Sequence, residues 1–375
     1  MTAGNVRELE VVRGPGVAAT LPAVLDRLGA RRVLVVATDR ALRRTGATRW
    51  LARYPHRHFA DVVPNPQITD VVRGAGVVER YAPDVVVGVG GGSALDTAKA
   101  VRLLPPSRGE AERVLGGVAP VRPGQPPKLV LVPTTAGSGS EVTTFATIYV
   151  GTRKFSLDHP LVKADVALVD PTLTYTCPPA LTAHCALDAT AHAIESWWSV
   201  SASPASRDLA RQALSRLVPV LRAGVGEMTE SRRGALCDAA VLAGQAIDLT
   251  RTTAAHAFAY PTTAHFGVPH GLACALHLVW LLPLTLGALG DGTGRSTVDV
   301  QDIGRVLGVR TSADSGTALA RLMSGAACPT RLGEVGVRAG DLELIVDDAL
   351  GNDRTRNHPI ALDRRVVLGA LRSRL

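Results

Sequence analysis

Val85-Val86-Val87-Gly88-Val89-Gly90-Gly91-Gly92-Ser93, followed by the helical stretch Ala94–Leu103, is the segment that decides the fold. A short run of valines, apolar on both faces, is how a strand buried inside a parallel α/β sheet reads. Glycines then turn the chain and a helix starts at once. Unpaired N–H groups at a helix start, together with the helix dipole, make a seat for an anion, and glycine lets a phosphate approach the backbone closely. The spacing is not the G-x-G-x-x-G of the usual dinucleotide loop, and a glycine turn without a ligand is the competing reading.

Outward from this segment, Arg32–Ala37, Leu129–Val132 and Val166–Val169 share its short, valine- or leucine-rich character. Residues 1–178 are therefore expected to form an α/β dinucleotide-binding domain of parallel strands and crossover helices. After Asp170-Pro171 and Cys177-Pro178-Pro179 the texture changes. From Leu181 onward alanine and leucine recur at helical spacing, which predicts an all-helical domain over residues 179–375. A chain of 375 residues fits two such domains. The Pro/Gly stretch around Pro120–Pro127 reads as a surface loop.

Composition narrows the classes. With 46% hydrophobic and 20% charged residues the chain reads as ordinary globular protein. No apolar run reads as approaching the roughly 18 residues of a membrane span. The N-terminal stretch MTAGNVRELEVVRGPG lacks the apolar core and cleavage site of a signal peptide. The expectation is a cytoplasmic protein without a membrane partner. Five cysteines, Cys177, Cys185, Cys237, Cys274 and Cys328, are odd in number with no CxxC spacing, and read as reduced thiols. A net charge of +8 raises the question of nucleic acid. The arginines, however, are scattered singly or in pairs such as Arg31-Arg32, Arg43-Arg44 and Arg232-Arg233, and aromatics are only 4%, too few for a stacking platform. No nucleic-acid partner is expected, whereas a positive field suits an anionic small substrate.

A second loop follows a second buried strand: Leu129–Val132 leads into Pro133-Thr134-Thr135-Ala136-Gly137-Ser138-Gly139-Ser140-Glu141. Small hydroxyl residues and glycines there suit ribose and phosphate contacts. Asp39, just past Arg32–Ala37, sits where a carboxylate takes ribose hydroxyls and repels a 2′-phosphate, the alternative being a helix cap. In the helical half, Asp188 and His192 are four apart, so both side chains lie on one helix face and can grip one ion. His256 and His270 offer two more imidazoles, with Pro261 and the Gly267-Val268-Pro269 turn expected to break the helix between them. One aspartate and three histidines suit Fe²⁺ or Zn²⁺. Each histidine taken alone also reads as a core or surface residue.

These residues carry a resemblance over nearly the whole chain. Gly90-Gly91-Gly92-Ser93-x-x-Asp96-x-Ala98-Lys99, Pro133 through Thr143, Leu187-Asp188-x-x-x-His192-Ala193-x-Glu195 and Val268-Pro269-His270-Gly271 match, in order, motifs of the iron-containing alcohol dehydrogenase family. The resemblance implies a Rossmann-like domain followed by a helical metal domain, the two sites facing each other across a cleft. It further implies a metal held by Asp188, His192, His256 and His270. An NAD(H) site, NADP(H) being second choice, would be lined by Asp39, Gly91, Gly92, Ser93, Asp96, Thr134, Thr135, Ser138, Thr147 and Lys154. Many members carry a further histidine four residues after the third ligand. Here Tyr260 stands there, a group that can still donate a proton, and it is the candidate catalytic side chain.

Within that family the sequence looks most like the phosphonoacetaldehyde reductases, through Lys154-Phe155-Ser156-Leu157-x-His159-Pro160 and the Arg251–Ala273 stretch. The expected chemistry is NADH-linked reduction of a small anionic aldehyde, with the metal acting as Lewis acid on the carbonyl oxygen. A cation is needed at the far end of such a substrate. Arg251, expected on the same helix as His256, is the candidate, and an ion pair within the protein is its alternative. Other readings are a dehydrogenase for sulfoacetaldehyde, a diol or an aliphatic alcohol, a lyase of the dehydroquinate synthase type, and a metal- or nucleotide-binding protein without catalysis. A homodimer is the expected assembly.

Overall fold

The computed structural model describes residues 8–122, 124–295 and 300–375. It divides into two compact units, Met1–Thr135 with Gly139–Thr176, and Cys177–Leu375 with the short excursion Ala136–Ser138. The division falls two residues before the expected boundary at 178, and three residues of the second loop pack with the helical unit.

In the first unit six strands form one parallel sheet. They are β1 (Glu10–Arg13), β2 (Val33–Val36), β3 (His56–Phe59), β4 (Val85–Gly90), β5 (Lys128–Pro133) and β8 (Val166–Val169), ordered β1-β8-β5-β4-β2-β3. A separate antiparallel hairpin joins β6 (Phe145–Val150) to β7 (Arg153–Asp158) through Gly151, whose φ of 62° is open to glycine at no steric cost. The inner strands β2, β4, β5 and β8 are buried on both faces, as their valines predict. Side chains alternate across a strand, so Leu34, Val36, Val86, Leu129 and Leu131 fill one core while Val33, Val35, Val85, Val87, Val130 and Val132 fill the other. Helices α1 (Leu21–Arg27), α2 (Asp39–Thr45), α3 (Ala47–Leu51), α4 (Ile68–Tyr81), α5 (Gly92–Val101) and α6 (Arg108–Leu115) complete the unit. The chain runs from β2 outward to β3, then returns to β4 on the other side of β2. The ends of β2 and β4 thus flank a topological switch point, where open α/β sheets take their ligands.

Among its described residues the second unit contains helices and no strand. Its helices are α7 (Pro179–Trp198), α8 (Pro204–Arg222), α9 (Glu230–Thr250), α10 (Ala254–Phe266), α11 (His270–Gly290), α12 (Val300–Leu307), α13 (Ser312–Gly325), α14 (Leu342–Leu350) and α15 (Arg364–Arg372). Helices α7, α8 and α9 pack on one another, and α11 packs against α7, α10 and α13. By length and composition α11 could span a membrane, contrary to the reading of the sequence. It is mostly buried as the central helix of this unit.

Two local expectations fail here. Pro261 does not break the helix: α10 runs through it and ends only at Gly267, which is left-handed at φ 66°. Proline removes one backbone donor, and the next residue, Thr262, adds a bond of its own by donating from Oγ1 to Phe258 O at 2.9 Å. Nor does Arg251 share a helix with His256. It caps the end of α9 at φ 63° and ψ 173°, and α10 begins three residues later. That left-handed backbone is uncommon for a residue with a Cβ. The junction is held from afar, because Asn357 Nδ2 donates to Thr250 O at 2.8 Å and to Thr252 O at 3.1 Å.

Candidate metal centre and dinucleotide loops

Asp188 and His192 sit one turn apart on α7, and His192 Nε2 lies 3.7 Å from Asp188 Oδ1. From α10, His256 Nε2 comes to 3.7 Å of the same oxygen, and His270, first residue of α11, brings its Nε2 to 4.0 Å. These gaps exceed a hydrogen bond and are close to the roughly 3.4 Å that separates donors about 2.0–2.1 Å from a tetrahedral ion. Asp188 Oδ1 and His256 Nε2 are buried and have no hydrogen-bond partner. Buried polar atoms are normally satisfied, so the arrangement fits a divalent cation among these donors. Burial opposes a charge on Asp188, yet the imidazoles, His192 foremost, hold its carboxyl well below the usual carboxylate range.

α7 and α11 approach closely because residue 271 is glycine. A Cβ there would lie 2.1 Å from His184 O and 2.7 Å from Asp188 Cβ. The imidazoles are ordered by their neighbours. His192 stacks on His256 with ring centres 4.8 Å apart, and Tyr260 stacks on His270 at 5.9 Å, with its ring edge-on to His256 at 6.4 Å.

Behind the donors lies Glu195, fully buried on α7, a residue of the Leu187–Glu195 motif to which the sequence alone assigns no role. Its Oε2 pairs with His256 Nδ1. Its Oε1 accepts from Thr253 N–H at 3.0 Å, Thr253 Oγ1 at 2.7 Å and His256 N–H at 3.3 Å. Burial opposes the Glu195 charge, and His256 holds its carboxyl below the ordinary value. A carboxylate on Nδ1 keeps the proton there and presents the Nε2 lone pair to an ion. Thr253 also accepts Trp198 Nε1–H at 3.0 Å, and the ring of His358 stands edge-on to Trp198.

Cys274 was read only as a reduced thiol. The structure puts its sulfur 3.8 Å from His270 Nε2, and the donor atoms of Asp188, His256, His270 and Cys274 all lie within 4.8 Å of one another. The available signal was spacing: Cys274 follows His270 by four residues on one helix, as His192 follows Asp188.

In the first unit, Asp39, Gly91–Ser93 and Thr134–Thr135 follow the C-terminal ends of three adjacent strands, β2, β4 and β5. Gly90 is at φ 152° and a Cβ on it would meet Ala94 Cβ at 2.7 Å. Gly91 precedes α5 with no side chain capping the helix. Gly91 O accepts from Ala94 and Leu95, which leaves the N–H groups of Gly92 and Ser93 as the donors the helix itself does not use. The two loops meet, since Thr134 N–H donates to Gly90 O at 2.9 Å and Thr135 Oγ1 is 3.3 Å from where a Gly91 Cβ would stand. Asp39 is the exposed first residue of α2. Its neighbour Thr38 supplies the cap by accepting Ala41 N–H at 3.1 Å, and His58 Nδ1 stands 3.6 Å from the Asp39 carboxylate.

Asp96 has a supporting place rather than an open one. Its two oxygens accept Ser140 Oγ at 2.5 Å and Thr147 N–H at 2.9 Å, tying α5 to the second loop and to β6. Buried Lys99 adds bonds to Thr143 Oγ1 at 3.0 Å and Phe145 O at 2.8 Å. In the hairpin Thr147 pairs with Ser156 and Lys154 with Tyr149, so Thr147 and Lys154 share one face. Ser138 packs with the helical unit, where a Cβ on Gly137 would come within 2.7 Å of the Cys185 backbone.

Comparison with known proteins agrees with this geometry. Residues 9–171 match the family described as iron-containing alcohol dehydrogenase, and residues 182–375 match the C-terminal part of the Fe-containing alcohol dehydrogenase family. The chain belongs to the iron-containing alcohol dehydrogenases. This alcohol dehydrogenase is 33% identical over 347 residues to long-chain-alcohol dehydrogenase 1 of Geobacillus thermodenitrificans, covering 88% of this chain and 86% of that protein. It is 31% identical over 367 residues to lactaldehyde reductase of Escherichia coli, covering 92% of each. A crystal structure of sulfoacetaldehyde reductase from Bifidobacterium kashiwanohense in complex with NAD+ superposes with a TM-score of 0.89 at 26% identity, covering 100% of this chain and 99% of that one. The protein is therefore an enzyme of the alcohol and aldehyde oxidoreductase class.

Proposed function

We propose that this enzyme reduces a small aldehyde to its primary alcohol with NADH, and that the preferred aldehyde bears a tetrahedral anion: phosphonoacetaldehyde, giving 2-hydroxyethylphosphonate. The observation that carries the reduction is the convergence of three imidazole nitrogens on one buried, unpartnered oxygen of Asp188. A divalent cation held there supplies Lewis acidity toward a carbonyl oxygen. Glu195 holds the His256 tautomer, Tyr260 is the candidate proton donor beside His270, and Gly92 and Ser93 offer N–H groups to a pyrophosphate. Exposed Asp39 disfavours the 2′-phosphate of NADPH.

The candidate cation for the anion is Arg251, in the segment that leads to His256, and in the structure it already stands beside a protein carboxylate, Asp248. Its guanidinium is 30% exposed, donates to Asp248 O at 3.0 Å and stands 3.7 Å from Asp248 Oδ1. The Arg251–Ala273 stretch resembles that of the phosphonoacetaldehyde reductases. Sulfoacetaldehyde, named in the structural relative, presents the same three-oxygen end. NADH oxidation by Fe²⁺-loaded protein is to be compared for phosphonoacetaldehyde, sulfoacetaldehyde and propionaldehyde, with wild type and Arg251→Ala. Arg251→Ala is expected to lose roughly 30- to 1000-fold in efficiency on the preferred anionic aldehyde, the worth of a charge-assisted contact, and to spare propionaldehyde. Equal losses on charged and uncharged aldehydes would make Arg251 structural and remove the anion preference. Failure to oxidise NADH with every aldehyde would remove the reductase reading itself.

A further inference from the structure

We infer that Cys274 is a sulfur ligand of the metal held by Asp188, His256 and His270, an inference that rests on the metal-centre reading above. Its sulfur, fully buried, is one of four donor atoms of different residues lying within 4.8 Å of one another. A thiol that only fills space needs no such company. Two of the other three atoms, Asp188 Oδ1 and His256 Nε2, are buried without a hydrogen-bond partner and stand 3.7 Å apart. The backbone explains the placement. His270 and Cys274 are four residues apart on α11, and side chains at that spacing lie on one face. Gly271, between them, brings that face against Asp188 on α7.

The consequence is a donor set of oxygen, nitrogen and sulfur. His192 Nε2 also lies 3.7 Å from Asp188 Oδ1, so the sulfur is one donor more than the four ligands the family resemblance implies. A coordinating thiol is deprotonated by the ion. Thiolate is soft, so it favours Zn²⁺ and Co²⁺ over Mg²⁺ and Mn²⁺. Cys274 thus tilts the choice of ion toward softer metals.

The test uses Co²⁺ as a spectroscopic probe on the full chain. Purified protein is stripped, reloaded anaerobically with Co²⁺, and its bound cobalt is counted. Wild type is expected to show an intense near-ultraviolet sulfur-to-cobalt charge-transfer band. Cys274→Ser is expected to lose it while the visible ligand-field bands persist. Loss of sulfur should also lower Zn²⁺ affinity in chelator competition by at least the roughly 10- to 100-fold that loss of an outer-shell partner costs. Zinc X-ray absorption on wild type needs no variant and should find one sulfur at about 2.3 Å. Cobalt bound at one per chain without the band, or a band that survives in Cys274→Ser, overturns the sulfur ligand and leaves the metal centre standing. Absence of bound Co²⁺ and Zn²⁺ altogether overturns the metal-centre reading.

Discussion

Replacing Glu195 by glutamine probes how the centre is built. Glutamine keeps the shape of the side chain but has one acceptor where the carboxylate has two. Oε1 of Glu195 accepts three donors, from Thr253 N–H, Thr253 Oγ1 and His256 N–H, so the amide oxygen takes that position. The amide NH₂ then faces His256 Nδ1, which pairs with Oε2 in the wild type. An NH₂ donates, so Nδ1 becomes the acceptor and the ring proton moves to Nε2, the nitrogen that points at Asp188. Metal affinity should fall roughly 10- to 100-fold, about 1.4–2.7 kcal/mol. Loss of the charge-assisted bond should cost the metal-free protein about 1.5–3 kcal/mol of folding stability. Chelator competition with Zn²⁺ and urea unfolding of the metal-free protein measure the two separately. A Glu195→Gln protein that binds Zn²⁺ as tightly as wild type would refute the tautomer argument, even if its stability fell.

Further outcomes follow from the same packing. Gly271→Ala sets a methyl 2.1 Å from His184 O, so α7 and α11 must separate. A cost on the order of 1–3 kcal/mol in thermal or urea unfolding, with reduced metal content, is expected, and an unchanged unfolding midpoint would show that the helices give way freely. Burial pushes the imidazoles of His277 and His358 down to about 3. The unfolded chain takes up protons near pH 6.5 that the folded chain refuses, so stability is full above that pH and declines toward pH 3, by about 1.4 kcal/mol per pH unit for each group. His277→Gln should flatten this slope between pH 7 and pH 5 in urea titrations of metal-free protein, and an equal slope in both proteins would contradict it. Asp39→Gly should raise the efficiency with NADPH relative to NADH, and an unchanged ratio in steady-state assays would remove Asp39 from cofactor choice.

Legibility in the sequence follows the reach of the forces involved. The valine strands β2, β4, β5 and β8 were readable because burial on both faces leaves an unbroken apolar run. Strand β3, His56-Arg57-His58-Phe59, was hidden because it forms the sheet edge and only Phe59 is buried. β1 is the other edge, short and part-exposed, and the β6–β7 hairpin lies in a stretch to which the sequence alone assigns no element. Asp188 and His192 were readable because helix spacing alone puts them together. The break at Arg251 was not, since Asn357, which bonds the carbonyls on either side of it, is more than 100 residues away. Pro261 misled in the opposite sense, because a local helix-breaking rule ignores the packing that holds α10 together. Cys274 carried the i,i+4 signal but was counted with the other thiols. Its meaning depends on α7 and α10 supplying Asp188 and His256 nearby.

One metal ion seated on Asp188 is expected to carry catalysis. The direct measurement is an anaerobic titration of metal-stripped protein with Fe²⁺, following NADH oxidation with a saturating aldehyde and counting bound iron at each point. Activity rising in proportion to iron and levelling at one ion per chain, with no rise in Asp188→Asn, is the predicted result. Full activity in the stripped protein, or the same rise in Asp188→Asn, would contradict it.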